Sequence, residues 1–139
     1  MQKTTYGDNT AHPHIAKSLN NLGSSWNELG DYKKAICFFE QSLTMQKTIY
    51  GDNKAHPHIA TTLNNLGLPC SELGDYKKAI SYFEQTLSML KTIYGDNMAH
   101  PDIAATLYNL QSTWTKIGDH ERAMEYKQQS QNMQRAFDV

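Results

Sequence analysis

Apolar side chains recur at alternating steps of four and three through Ile15, Leu19, Leu22, Trp26 and Leu29. That spacing places them on one face of a helix. After Gly30-Asp31 the pattern resumes with Tyr32, Ala35, Ile36, Phe39 and Leu43, and predicts a second helix. Neither stripe is stable facing water alone, so the two helices are expected to pack as an antiparallel hairpin.

The chain then makes this hairpin twice more. Tyr-Gly-Asp-Asn begins at Tyr6, Tyr50 and Tyr94, a period of 44 residues without insertion. Met1-Gln-Lys-Thr returns at Met45 and, slightly altered, at Met89, while Ala11-His-Pro returns at Ala55 and Ala99. Fixed self-similarity of this length marks a stacked repeat architecture. Repeat one covers about 7–50, repeat two 51–94 and repeat three 95–139. Pro13, Pro57 and Pro101 fit the first position of a helix, where a missing N–H costs nothing. First helices are therefore expected over 13–28, 57–72 and 101–116. Gly30, Gly74 and Gly118 end them, and Asp31, Asp75 and Asp119 cap second helices over 32–49, 76–93 and 120–136. Gly51 and Gly95 stop the first two of these. Residues 1–6 read as the remnant of a preceding helix, so the chain is expected to be a fragment cut from a longer array.

Two repeats depart from the pattern. In repeat three Gln111 replaces the glycine of Gly23 and Gly67, a position where helices approach closely, and His120 stands in place of Tyr32 and Tyr76. Lys127 and Gln131 replace Phe39/Phe83 and Leu43/Leu87. A polar last helix is what a terminal unit requires, and it reads as a degenerate cap with Met133 and Phe137 packing inward. The first helix of repeat one has no such treatment, so its apolar surface is expected to favour self-association. In repeat two, Leu68-Pro69-Cys70 stands where the others have Ser24-Ser25-Trp26 and Ser112-Thr113-Trp114. A proline inside a helix costs about 3 kcal/mol, which predicts a bend or a lost hydrogen bond between Asn65 and Pro69.

Composition narrows the function. The 139 residues carry 13 basic and 14 acidic side chains, for a formal charge of −1. No basic run tracks a phosphate backbone, so nucleic acid is not an expected partner. A mean hydropathy of −0.65 suits an elongated stack. Two cysteines make no disulfide framework, no signal peptide is visible, and no apolar run approaches the roughly 20 residues of a membrane helix. A soluble, cytoplasmic protein without a membrane partner is expected.

Little of the chain carries chemistry. His12-Pro-His14 and His56-Pro-His58 resemble metal-ligand pairs, with His100-Pro-Asp102 as a third instance. Corresponding positions in stacked repeats lie about 10 Å apart, whereas zinc holds its ligands at about 2 Å. Helix capping explains these histidines more simply. Gly-Asp-Asn lacks the oxygen ladder of a calcium loop and fits a tight turn. Glu28, Glu40, Glu72 and Glu84 recur at solvent-facing spacing. No nucleophile elbow, phosphate loop or metalloprotease motif occurs. The expectation is no enzyme, no catalytic residue, no metal and no cofactor.

Leu22-Gly23, Trp26, Gly30, Tyr32, Ala35 and Phe39 are spaced like the signature of tetratricopeptide repeats. With Leu-Asn-Asn-Leu-Gly and the Ala-His-Pro linker, the long period most resembles the extended repeats of kinesin light chain and the nephrocystin family. The resemblance implies an all-α, right-handed superhelical solenoid of three antiparallel helix hairpins. It also implies a concave groove, lined by the first helices, that binds a peptide segment of a partner protein. The recurring asparagines then gain a role, since an amide both donates and accepts and can grip a peptide backbone. Asn20 and Asn64 are assigned to the groove. Asn21, Asn65 and Asn109 suit either the groove or hydrogen bonds between neighbouring helices. Lys17, Ser24, Asn27, Leu68, Ser112 and Thr115 are further lining candidates, with Tyr108 as an aromatic wall. Chaperone-binding relatives hold a C-terminal carboxylate with cations; Asn20, Ser24, Asn65, Ala105 and Asn109 stand at the matching places, which disfavours that ligand. A peptide-binding scaffold is the leading expectation. A structural spacer that self-associates through its end faces is the alternative, and the sensor segment of a larger signalling protein a third.

Overall fold

Two short punctuation motifs set the helix order. At the hairpin turns the glycines take a left-handed backbone, with φ of 87° at Gly30 and 86° at Gly74, a conformation that costs a residue with a Cβ. Around them the Asp31 N–H donates to the Trp26 carbonyl at 3.0 Å and the Asp75 N–H to that of Cys70 at 2.9 Å, which satisfies carbonyls that a helix end leaves open. The same aspartates cap the next helix. Asp31, Asp75 and Asp119 accept through Oδ1 from the N–H groups of Lys34, Lys78 and Arg122 at 3.2, 3.3 and 3.1 Å.

The computed structural model describes residues 12–95 and 100–138, with side chains through residue 135. Among them six helices form: α1 (Pro13–Glu28), α2 (Tyr32–Tyr50), α3 (Pro57–Glu72), α4 (Tyr76–Tyr94), α5 (Pro101–Ile117) and α6 (His120–Asp138). The expected starts are all met, and α2, α4, α5 and α6 run one or two residues further than expected. No strand occurs among the described residues. Helices pair as α1·α2, α3·α4 and α5·α6, and the hairpins stack through α2·α3 and α4·α5, with a smaller α1·α3 contact. The fold is an all-α helical-repeat solenoid. Residues 1–6, read above as the remnant of a preceding helix, lie outside the described residues, as does the side chain of Phe137.

The stripe within each first helix divides its labour in a way periodicity did not reveal. The hairpin itself closes over small residues: Ala16 and Gly23 are buried, whereas Ile15, Leu22 and Leu29 are exposed. A Cβ on Gly23 would stand 2.5 Å from the Phe39 ring, and one on Gly67 2.4 Å from that of Phe83. Glycine is needed here for space. Ser42 Oγ, buried under the same helix, donates to the Ala16 carbonyl at 2.8 Å. The larger residues meet the preceding hairpin instead: Leu66 packs with Ala35 and Phe39, and Leu110 with Ile80 and Phe83.

Repeats two and three absorb their substitutions differently. α3 continues through Pro69, whose side chain is buried and whose carbonyl still accepts from the Leu73 N–H at 3.0 Å. Proline has no N–H to offer the Asn65 carbonyl, so the lost hydrogen bond is the local cost. Cys70 packs against Ala79, Ile80, Phe83 and Leu110, and burial pushes its thiol up to about 11. In the flanking repeats the tryptophans at this position carry cations, Lys34 at 4.3 Å from the Trp26 ring and Arg122 at 4.8 Å from that of Trp114. Lys78, their counterpart, instead lies 4.0 Å from Glu40. In repeat three the counterpart of Phe39 and Phe83 is the exposed Lys127, and the half-buried Gln111 stands where the glycines do. Lys127 and Gln131 are exposed on α6, as is the apolar Met124, while Ala123 is buried and Met133 packs inward.

Candidate functional site

Each first helix begins at a histidine, not at the serine or aspartate commonest there. His12, His56 and His100 have extended backbones, and their Nδ1 atoms accept from the N–H groups two residues on at 3.2, 3.1 and 3.1 Å. The capping expected of these residues is thus in place. The tyrosine ending the preceding helix stacks on the cap: Tyr50 lies 3.7 Å from His56 and Tyr94 3.9 Å from His100. Burial, then the neighbouring His58 and Lys54, lower the pKa of His56. Among the described residues, no three His, Cys, Asp or Glu side chains converge as a metal site would need. No described helix is long and apolar enough to cross a membrane.

The first helices frame two clefts. One, of about 370 Å³, lies between repeats one and two and is lined by Lys17, Asn20, Pro13, His14, Tyr50 and His58, among others. The second, of about 190 Å³, draws Asn27 from α1, Leu68 and Glu72 from α3, and Asn109, Ser112 and Lys116 from α5. Six residues singled out from the sequence therefore fall in clefts: Lys17 and Asn20 in the first, and Asn27, Leu68, Asn109 and Ser112 in the second. Asn21, Ser24 and Tyr108 are exposed on their helices, and Asn64 and Asn65 are half-buried. Thr115 is exposed and its hydroxyl donates to the Gln111 carbonyl at 2.9 Å.

Several asparagines bridge neighbouring repeats. Asn20 Nδ2 donates to Thr62 Oγ1 at 2.9 Å, and Thr62 donates in turn to Gln46 Oε1 at 2.7 Å. Asn109 Nδ2 donates to Asn64 Oδ1 at 3.1 Å. These bonds tie α1 to α3 and α5 to α3. Two amide oxygens are left over, because Asn20 Oδ1 and Asn27 Oδ1 are buried without a hydrogen-bond partner, as is Trp114 Nε1. Such an atom costs about 1–3 kcal/mol, and native structures rarely tolerate it without a use. Sequence reasoning passed over Thr62 and Gln46. The signal was available in Ser18, Thr62 and Thr106, a hydroxyl at the same place in each repeat.

On the outer helices, Tyr126 donates to Glu84 Oε2 at 3.1 Å. Burial and that bond push the Tyr126 phenol up to about 12. Glu40 and Glu84 thus meet a side chain of the next repeat while staying exposed, and such surface pairs contribute little to stability.

No curated protein sequence matches this chain. Its backbone is similar to that of BtubC (BKLC) from P. vanneervenii, with a TM-score of 0.83 at 20% identity over 96% of this chain and 52% of that one. It is also similar to a substituted variant of a putative kinesin light chain from Podosopora anserina with nearly identical TPR-like repeats, at a TM-score of 0.74 and 20% identity over 92% of this chain and 58% of the other. The TPR domain of Arabidopsis FLU aligns at a TM-score of 0.76 and 18% identity, over 88% of this chain and 97% of that domain. This chain thus spans little more than half the length of the first two. At these identities the likeness speaks for the fold. The family model for the tetratricopeptide repeat matches residues 15–92, over half of the sequence, and so this chain belongs to the tetratricopeptide repeat family.

Proposed function

We propose that the chain binds a peptide segment of a partner protein along a groove lined by α1, α3 and α5, wound as a right-handed superhelix. Repeats of this family mediate protein–protein interaction and serve as scaffolds rather than enzymes. The observation that carries the finer reading is the 190 Å³ cleft, which takes side chains from the first helices of all three repeats. A segment lying across them would meet Asn27, Leu68 and Ser112 together. Asn20 and Asn27 each hold an amide oxygen without a partner beside a cleft, and a small change of rotamer offers it to a backbone N–H. Asn21, Asn65 and Tyr108 extend the same surface. The reading implies no cofactor and a cytoplasmic setting.

A peptide-library selection on the purified chain tests it. Asn27→Ala and Asn21→Ala are expected to weaken the selected peptide about tenfold while leaving the melting temperature unchanged. Unaltered affinity in both folded variants removes the groove.

The exposed Ile15, Leu22 and Leu29 favour a second reading, self-association through the α1 end face, as a spacer would use. Light scattering over a concentration series separates the two. Mass that rises with concentration, and ceases to rise in Leu22→Gln, supports association; a constant monomer mass rejects it.

A further inference from the structure

We propose that the histidine caps make the joints between repeats sensitive to pH, with His56, between the first and second hairpins, as the principal switch. The cap depends on an unprotonated ring nitrogen, since His56 Nδ1 accepts from the His58 N–H at 3.1 Å. In the imidazolium both nitrogens are donors and the bond is lost. Protonation also sets a cation at the N-terminus of α3, where the helix dipole opposes it.

The joint is more than a cap. Tyr50, the last residue of α2, stacks on His56 with ring centroids 3.7 Å apart and planes 14° from parallel. Its hydroxyl lies 3.1 Å from His58 Nδ1. Three rings therefore connect the end of one hairpin to the start of the next. Tyr50 and His58 also line the 370 Å³ cleft, so a change at the joint reaches the cleft.

The groups facing His56 are Tyr50 from α2, Lys54 from the connection and His58 from α3, and none is acidic. The other joints differ. Tyr94 stacks on His100 in the same way, yet Asp102 takes the place of His58, with Oδ2 3.9 Å from His100 Nδ1. A carboxylate thus stands beside this cap where the second joint has a histidine. His12 caps α1 through the His14 N–H, with the His14 ring 5.2 Å away.

The sign follows from the lowered pKa of His56. Its contribution to stability is fully present above the unfolded value of about 6.5. It is lost as pH falls from there through the folded value, because the unfolded chain takes up a proton that the folded one resists.

Thermal unfolding of the full chain at pH 7.5 and 5.5 tests the switch. Asparagine caps helices well and does not titrate, so His56→Asn is expected to recover about 4 °C of the acid-induced drop in Tm. His58→Asp, which copies the third repeat, is expected to shrink the drop as well. A drop in His56→Asn equal to that of the unsubstituted chain overturns the proposal. Amide exchange on the unsubstituted chain needs no variant to fold. After correction for the intrinsic pH dependence, the His58 N–H is expected to lose roughly tenfold in protection on acidification. Unchanged protection of the His58 N–H also overturns it.

Discussion

α1 and α3 share Pro-His-Ile-Ala and Leu-Asn-Asn-Leu-Gly at matching places, yet their apolar residues fare differently. Ile15 and Leu22 are 40% and 44% exposed, whereas Ile59 and Leu66 are 1% and 0% exposed. The helices themselves do not account for this. α2 lies against α3, and no described helix plays that part for α1. Burial is here a property of the neighbour, and an identical side chain contributes to stability only where the preceding hairpin covers it. α3 has one face committed to its own hairpin through Ala60 and Gly67 and a second committed to the hairpin before it.

The largest effect should come from cutting matched leucines. Leu66→Ala is expected to cost about 2–5 kcal/mol in urea unfolding, and Leu22→Ala less than about 1 kcal/mol. Equal losses would break the comparison.

Next in size is the glycine face. Gly67→Ala improves helix propensity by about 1 kcal/mol, yet its Cβ would meet the Phe83 ring at 2.4 Å. Overpacking should win, for a net loss of about 1–3 kcal/mol that Phe83→Leu partly restores. Gln111→Ala, in the repeat where Lys127 replaces the phenylalanine, is expected to change stability by less than about 0.5 kcal/mol. A stabilised Gly67→Ala would mean that the ring swings aside freely.

The smallest change sharpens the picture at Pro69. Pro69→Ser copies repeat one, restores the N–H to the Asn65 carbonyl and gives up some buried packing. A net gain of about 1–2 kcal/mol is expected in the same unfolding series. No gain would show that the buried ring of Pro69 offsets the bond it removes.

Much of this architecture could be read from the chain. Pro13, Gly30 and Asp31 act through their own backbones and nearest neighbours, so the helix starts and the hairpin turns were visible in order. The departures at Gln111 and Lys127 were visible too, but not their connection, which appears only when the Phe39 and Phe83 rings are seen over Gly23 and Gly67. The candidate site was half legible. Asn20 and Asn109 stood out by recurrence, whereas Thr62 and Gln46, which complete the Asn20 chain of bonds, lie on other helices.

By itself, then, the sequence determined the elements: six amphipathic helices, their caps and their pairing into three hairpins. Local hydrogen bonds and apolar periodicity act over a few residues and need no distant partner. Only the tertiary structure decided which apolar face is covered, which glycine carries a ring, and which asparagine ties one repeat to the next. Those outcomes depend on surfaces that meet 16 to 45 residues away in the chain, where composition and spacing carry no record of distance.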